Sequence, residues 1–282
     1  MQLWTIIMAK KSDGIKTIRP IIANGKTKLA DIDTKSTCSF GGEKASTVAI
    51  FAELNARLVE LQQVLYAGHK HKVLVVLQAM DTGGKDGVIR KVFSGINPLG
   101  IHVASFKAPT ATELDHDYLW RVHQQMPAKG EMVLFNRSHY EDVLITRVEG
   151  WIDDDCAKRR FRQINDFEAM LVEEGTIILK FFLHISKDEQ KERLQDRLDD
   201  DAKNWKFNIG DLAARKKWDE YQRVYEEAIN ATSSPHAPWY IVPADRNWVR
   251  DLYVCSVLVD VLSDLNMQYP APPAGLDKVV IK

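Results

Sequence analysis

The 282-residue chain predicts an α/β fold of three layers, with a parallel central sheet between two layers of helices. Two observations predict it. Short apolar runs, several rich in β-branched residues, recur at 73–78, 103–106, 132–135, 177–183 and 240–242, as expected of strands buried on both faces. Helix-like sequence separates most of them, and alternating strands and helices build parallel sheets through right-handed crossovers. Such crossovers bring the C-terminal strand ends, and the loops that follow them, to one edge.

The elements follow in order. Residues 1–44 mix Lys, Asp, Thr, Ser and Gly with little periodicity and are expected to form an N-terminal arm. Its apolar start, MQLWTII, is too short to span a bilayer, and no charged residue precedes it. From residue 45 the pattern changes. Val48, Phe51, Leu54, Leu58, Leu61 and Leu65 recur every three or four residues, which predicts an amphipathic helix ending near Gly68. Further helices are predicted at 115–126, 157–174, 187–198, 212–231 and 248–265. The main domain thus runs over 45–268, and the Pro-rich segment 269–282 is expected to lie extended over it.

Hydrophobic residues make up 45% of the chain and charged residues 27%, enough for a substantial core. A formal net charge of −1 provides no global basic field for nucleic acid or membrane surfaces, so any polyanion must be held by a local cluster. Three dispersed cysteines, Cys38, Cys156 and Cys255, fit neither a disulfide framework nor a zinc site and suit a reducing cytoplasm.

The segment LQAMDTGGKDGVIRKVF joins the first strand to a helix. Phosphate binding needs several backbone N–H groups directed into one concavity, and glycines permit the turn. A helix N-terminus then adds a favourable dipole. Asp81 to Gly87 is the predicted cradle, with Thr82, Gly83, Gly84, Asp86 and Gly87 around phosphate oxygens and Lys85 reaching them. The general pattern G-x-x-x-x-G-K-[ST] is met at Gly84 and Lys85, but Ala79 replaces the first glycine and Asp86 the hydroxyl residue. Without that hydroxyl Mg²⁺ loses its usual protein ligand. Asp81 offers a carboxylate in its place.

A second polar cluster, FNRSHYEDVL at 135–144, follows the third strand about 50 residues later. Arg137 presents a planar fork for phosphate oxygens, and Glu141 and Asp142 supply carboxylates.

With these motifs in hand the chain resembles the polyphosphate kinase 2 family. MDTGGKDG, INPLG, SFKAPT, HDYLWRVH, FNRSHYEDVL, RLDDDAKNWKF and SPHAPWYIVPADRNW match it in order across about residues 45–265. The resemblance implies a three-layer P-loop kinase fold with a helical lid at about 187–223. It also implies reversible transfer of phosphate from inorganic polyphosphate to ADP and AMP, giving ATP, with Mg²⁺ as cofactor and Mn²⁺ as an alternative. HYEDVL is most like the class III branch, which accepts both nucleotides. Asp81, Lys85 and Arg137 match the family's positions for metal, acceptor and phosphate handling. Asn136 stands where other branches carry Asp. That leaves the second metal ligand to Glu141 or Asp142, with Asp142 taken beside Asp81. Arg193, Arg197, Lys203 and Lys206 are expected to close over the polyphosphate, and Asn97, Asp117, Arg121 and Asn136 to face the nucleotide. Trp120 is expected to be core. A homodimer or homotetramer is implied. The rival readings are an ATP-dependent nucleoside monophosphate kinase, a nucleotide-sensing or polyphosphate-binding module without activity, and a family member restricted to ADP or to AMP.

Overall fold

The computed structural model describes residues 19–38 and 44–281. The apolar start of the arm lies outside the described residues. The chain forms β1 (Ile21–Ile22), α1 (Lys44–Gly68), β2 (Lys72–Ala79), α2 (Lys85–Val92), β3 (Ile101–Ser105), α3 (Ala111–Leu114), α4 (Trp120–His123), β4 (Met132–Asn136), α5 (Ile145–Val148) and α6 (Asp154–Glu173). It continues through β5 (Thr176–His184), α7 (Lys187–Asp199), α8 (Ile209–Lys216), α9 (Trp218–Thr232), β6 (Trp239–Pro243) and α10 (Asn247–Asp264). The sheet runs β1-β6-β5-β2-β4-β3, with β6, β5, β2, β4 and β3 mutually parallel.

Every predicted strand is present, shifted by at most two residues at either end. The central strands are buried along nearly their whole length because helices cover both faces. α1, α2 and α10 pack together, and α5, α6 and α9 pack together in a second helical layer. In α1 the predicted stripe buries Leu54, Leu58, Leu61 and Leu65, whereas Val48 in the first turns is 59% exposed.

Three expectations are corrected. The arm is no loose appendage over 19–38. Ile21 and Ile22 pair antiparallel with Ile241 and Tyr240, Leu29 is buried, and Asp245 accepts a hydrogen bond from Thr34. A two-residue strand is below the reach of periodicity. The helix predicted over 115–126 shrinks to α4, because Asp117 caps Leu119 N–H and leaves 115–119 as turns. The helix predicted over 212–231 is broken at Lys217, between α8 and α9. The tail over 269–281 is exposed throughout and includes a short 3-10 turn at Leu276–Lys278.

Candidate functional site

The C-terminal ends of β2 and β4 are adjacent, so the loops after them meet. After β2, Gly83 N–H donates to the Met80 carbonyl, and Gly84 caps α2 at φ 99°, in the left-handed region. A Cβ at Gly83 would lie 2.4 Å from the Ala79 Cβ, so the turn closes only without a side chain. Thr82 (φ 62°) and Arg137 (φ 63°) are two of the five described non-glycine residues with positive φ, and both line this edge. Backbone held in that region costs on the order of 1–3 kcal/mol per residue and persists only where neighbours enforce it.

The enforcement is visible. Gln190 Nε2 donates to the Asp81 carbonyl at 3.1 Å, and an Arg193 amino group donates to the Thr82 carbonyl at 3.1 Å. Arg137 N–H donates to the Leu77 carbonyl, and buried Ser138 accepts from Gln78. Arg250 on α10 is 4% exposed, held by Asp251 and Asn247, and its guanidinium packs against Gly84 and Gly87. Neither Gln190 nor Arg250 stood out in the sequence, since each sits in an unremarkable helical pattern.

Charge is concentrated at the loop. Arg137 reaches Asp81 at 2.6 Å and Glu141 at 3.2 Å, so one guanidinium bridges two carboxylates from two loops. Glu141 above all holds the Arg137 guanidinium firmly charged. Lys85 is buried, and its ammonium donates to the Ala79 carbonyl, which also accepts from Tyr225. Burial, reinforced by Arg137, pushes Lys85 down to about 8, while Asp81, Glu141 and Asp86 pull it back up. Asn136 donates to Asp86 at 2.8 Å.

The carboxylates that Arg137 brings together are Asp81 and Glu141, and not Asp142, which was expected beside Asp81. Asp142 turns toward α6, where Arg160 donates to its carbonyl at 2.6 Å and stands 3.8 Å from its carboxylate. Burial raises the Asp142 carboxyl, offset in part by Arg160 and Arg121. A short 3-10 turn over His139–Val143 explains the choice, because it sends consecutive side chains in different directions. No sequence periodicity selects between them.

Among the cations of the segment expected to be a lid, Arg193 joins the loop, whereas Arg197 is pinned within that segment by Asp211 and the Lys206 carbonyl. Lys203 pairs with Asp200 at the exposed tip, and Lys206 lies over the Trp205 ring. Of the residues expected at the nucleotide, Arg121 is buried, donates to the Lys107 carbonyl and lies over the Phe106 ring. Asn97 caps the turn Pro98–Gly100, and Asp117 is exposed. Trp120 is half-buried against His116 rather than part of the core.

Among the described residues no three His, Cys, Asp or Glu side chains form a ready cage for a metal ion. Two carboxylates beside a phosphate-sized loop still suit Mg²⁺, which takes one or two carboxylates and leaves its other positions to water and phosphate oxygens. Such an arrangement can grip and neutralise a chain of phosphates.

Residues 42–270 match the family Polyphosphate kinase 2. The chain is 56% identical over 259 residues to an AMP/ADP-polyphosphate phosphotransferase of Meiothermus ruber, covering 92% of this chain and 97% of that protein. It is 48% identical over 226 residues to an ADP-polyphosphate phosphotransferase of Rhodopseudomonas palustris, covering 76% of this chain and 78% of that one. The crystal structure of polyphosphate kinase 2 from Arthrobacter aurescens TC1 superposes with a TM-score of 0.91 at 42% identity, covering 95% of this chain and 97% of that one. The family match spans the glycine loop after β2, the Arg137 turn and helices α7 to α9 as one continuous stretch, and the chain belongs to the polyphosphate kinase 2 family.

Proposed function

We propose that this enzyme transfers the terminal phosphoryl group of inorganic polyphosphate to ADP and to AMP, reversibly, giving ATP. The observation that carries the reading is the bridge from Asp81 through Arg137 to Glu141, set beside the buried Lys85 of the phosphate loop. Donor and acceptor are both polyanions. Two unit charges 4 Å apart repel by about 4 kcal/mol at an effective dielectric near 20, so catalysis is mostly neutralisation and positioning.

Lys85 and the loop amides of 82–87 grip the transferred group. Arg137 is released from its carboxylates to the equatorial oxygens as these gain charge. Asp81 and Glu141 would hold Mg²⁺, with Mn²⁺ as an alternative. When bound, the ion supplies positive charge across the phosphates. Arg193 acts on the donor indirectly, by holding the Thr82 turn, and closure of the lid excludes water as a competing acceptor. Arg121 and Asp142 lie on the acceptor side with Asn97, Asp117 and Asn136. The enzyme works in the cytoplasm as a homodimer or homotetramer. Its cysteines are free, and no described helix is long and apolar enough to cross a membrane.

The deciding assay supplies long-chain polyphosphate with ADP, and separately with AMP, and follows ATP by luciferase light. ATP from both is the expected result, and none from either overturns the reading. ATP from ADP alone would place the enzyme with relatives such as the one from Rhodopseudomonas palustris, named for ADP.

A further inference from the structure

β5 carries a charged residue where none is expected. Lys180 lies in the centre of a parallel strand, pairs in register with Val76 and has no exposed surface. A buried charge is costly unless paired and hydrogen-bonded, and an apolar pair of similar volume would often serve stability as well or better. Here every donor of the ammonium is used. Lys180 Nζ donates to Glu168 on α6 at 2.5 Å, to the Tyr140 hydroxyl at 2.9 Å and to the Thr232 carbonyl at 2.8 Å. Tyr140 in turn donates to Glu168 at 2.8 Å, and the His139 ring lies 3.4 Å from the same carboxylate. Burial drives the Tyr140 hydroxyl well above its ordinary range, which keeps it a donor.

His139 and Tyr140 stand between Arg137 and Glu141 in the chain. Upstream, Arg137 is tied to β2 through Leu77, and Ser138 through Gln78. Downstream, Tyr140 is tied to Lys180 and Glu168. The left-handed backbone of Arg137 is therefore clamped from both sides.

We propose that Lys180, Glu168 and Tyr140 are positioning residues, a buried polar brace that sets Arg137 and Glu141 against the phosphate loop. This rests on the transfer reaction proposed above. The brace touches no substrate, so its loss should lower kcat and spare substrate binding. Two variants test it: Tyr140→Phe, which removes one hydroxyl, and Lys180→Met/Glu168→Leu, which replaces the ion pair by apolar volume. Both are expected to fold, with kcat at least tenfold lower and KM for ADP within twofold of wild type.

A cycle with Arg137→Lys isolates the route. If the brace acts through Arg137, Tyr140→Phe costs less than threefold in that background. A full multiplicative loss there overturns the proposal, as does kcat within twofold of wild type in the folded single variants. Hydrogen exchange supplies a readout free of the reaction. Amides of 137–143 should exchange at least tenfold faster in Tyr140→Phe, with β2 unchanged. Unchanged exchange in 137–143 overturns the brace even if wild type transfers no phosphate, whereas an inactive wild type with faster exchange in the variant overturns only the assigned reaction. If the ion-pair variant does not fold, the Tyr140→Phe measurements decide.

Discussion

At the root of the α7–α8 segment, Arg193 donates to Thr82 and Ala244, pairs with Glu189 at 2.7 Å and is largely buried. At the tip of the same segment, Lys203 pairs with Asp200, three residues away, and half of its side chain is exposed. The root cation ties the loop after β2, through the Thr82 carbonyl, to the chain that follows β6, through the Ala244 carbonyl. The tip cation is free to leave a weak local pair for a ligand, because exposed ion pairs are worth little and are screened by salt. Charge tied into the fold organises a site, while charge left on the surface attracts and then adapts.

Predictions that test this contrast run from large to small. Lys85→Ala, at the loop that the root supports, should lower kcat/KM about 10³-fold while the far-UV spectrum stays that of the wild type. An active, folded variant would remove the loop from the mechanism. Arg193→Ala should lower kcat about 10–100-fold, since it frees the Thr82 carbonyl and loosens a strained turn. Steady-state kinetics with saturating polyphosphate would check it, and a pure KM effect would make root and tip equivalent.

The third prediction uses pH. Lys85 loses its proton near pH 8 in the folded enzyme, against an ordinary 10.5. In the free enzyme kcat/KM should fall about tenfold per unit above pH 8, whereas the kcat limb lies higher because bound phosphate favours the ammonium. The stability effect has the opposite sign. Between pH 8 and 10.5 the unfolded lysine binds the proton that the folded one has lost, so this group's penalty on folding fades as pH rises. The Tm gap between Lys85→Met and wild type should narrow over that window. The smallest effect belongs to the tip. Lys203→Ala/Lys206→Ala should raise KM for polyphosphate only a few-fold, and the difference should vanish at about 1 M salt, where screening acts over roughly 3 Å.

Much of this was legible in the sequence. Continuous apolar runs identify β2, β4, β5 and β6 because strands covered on both faces tolerate little polarity. The glycines before Lys85 mark the phosphate loop because only they fit so tight a turn, and the Arg137 turn follows at the neighbouring strand. The antiparallel β1, the break at Lys217 and the orientation of Trp120 were not legible. β1 forms only against β6, and Lys217 reaches Val148 and Glu149, all remote in sequence, whereas the Trp120 ring rests on His116, whose nearness in the chain does not by itself fix how the ring turns.

The carboxylates show the boundary most clearly. That Glu141 and Asp142 both follow Arg137 at a strand end was plain from the chain alone, as was the need for acidic groups near a phosphate loop. Which of them faces Asp81 was decided by the 3-10 turn and by Arg160, contributed from α6 eighteen residues later. Likewise the chain shows Lys180 inside an apolar strand, but only the packed layers bring Glu168 and Tyr140 to it. Local patterns determine which elements form, since backbone geometry and burial act over a few residues. Side-chain partners are set by how those elements stack, which adjacent residues do not encode.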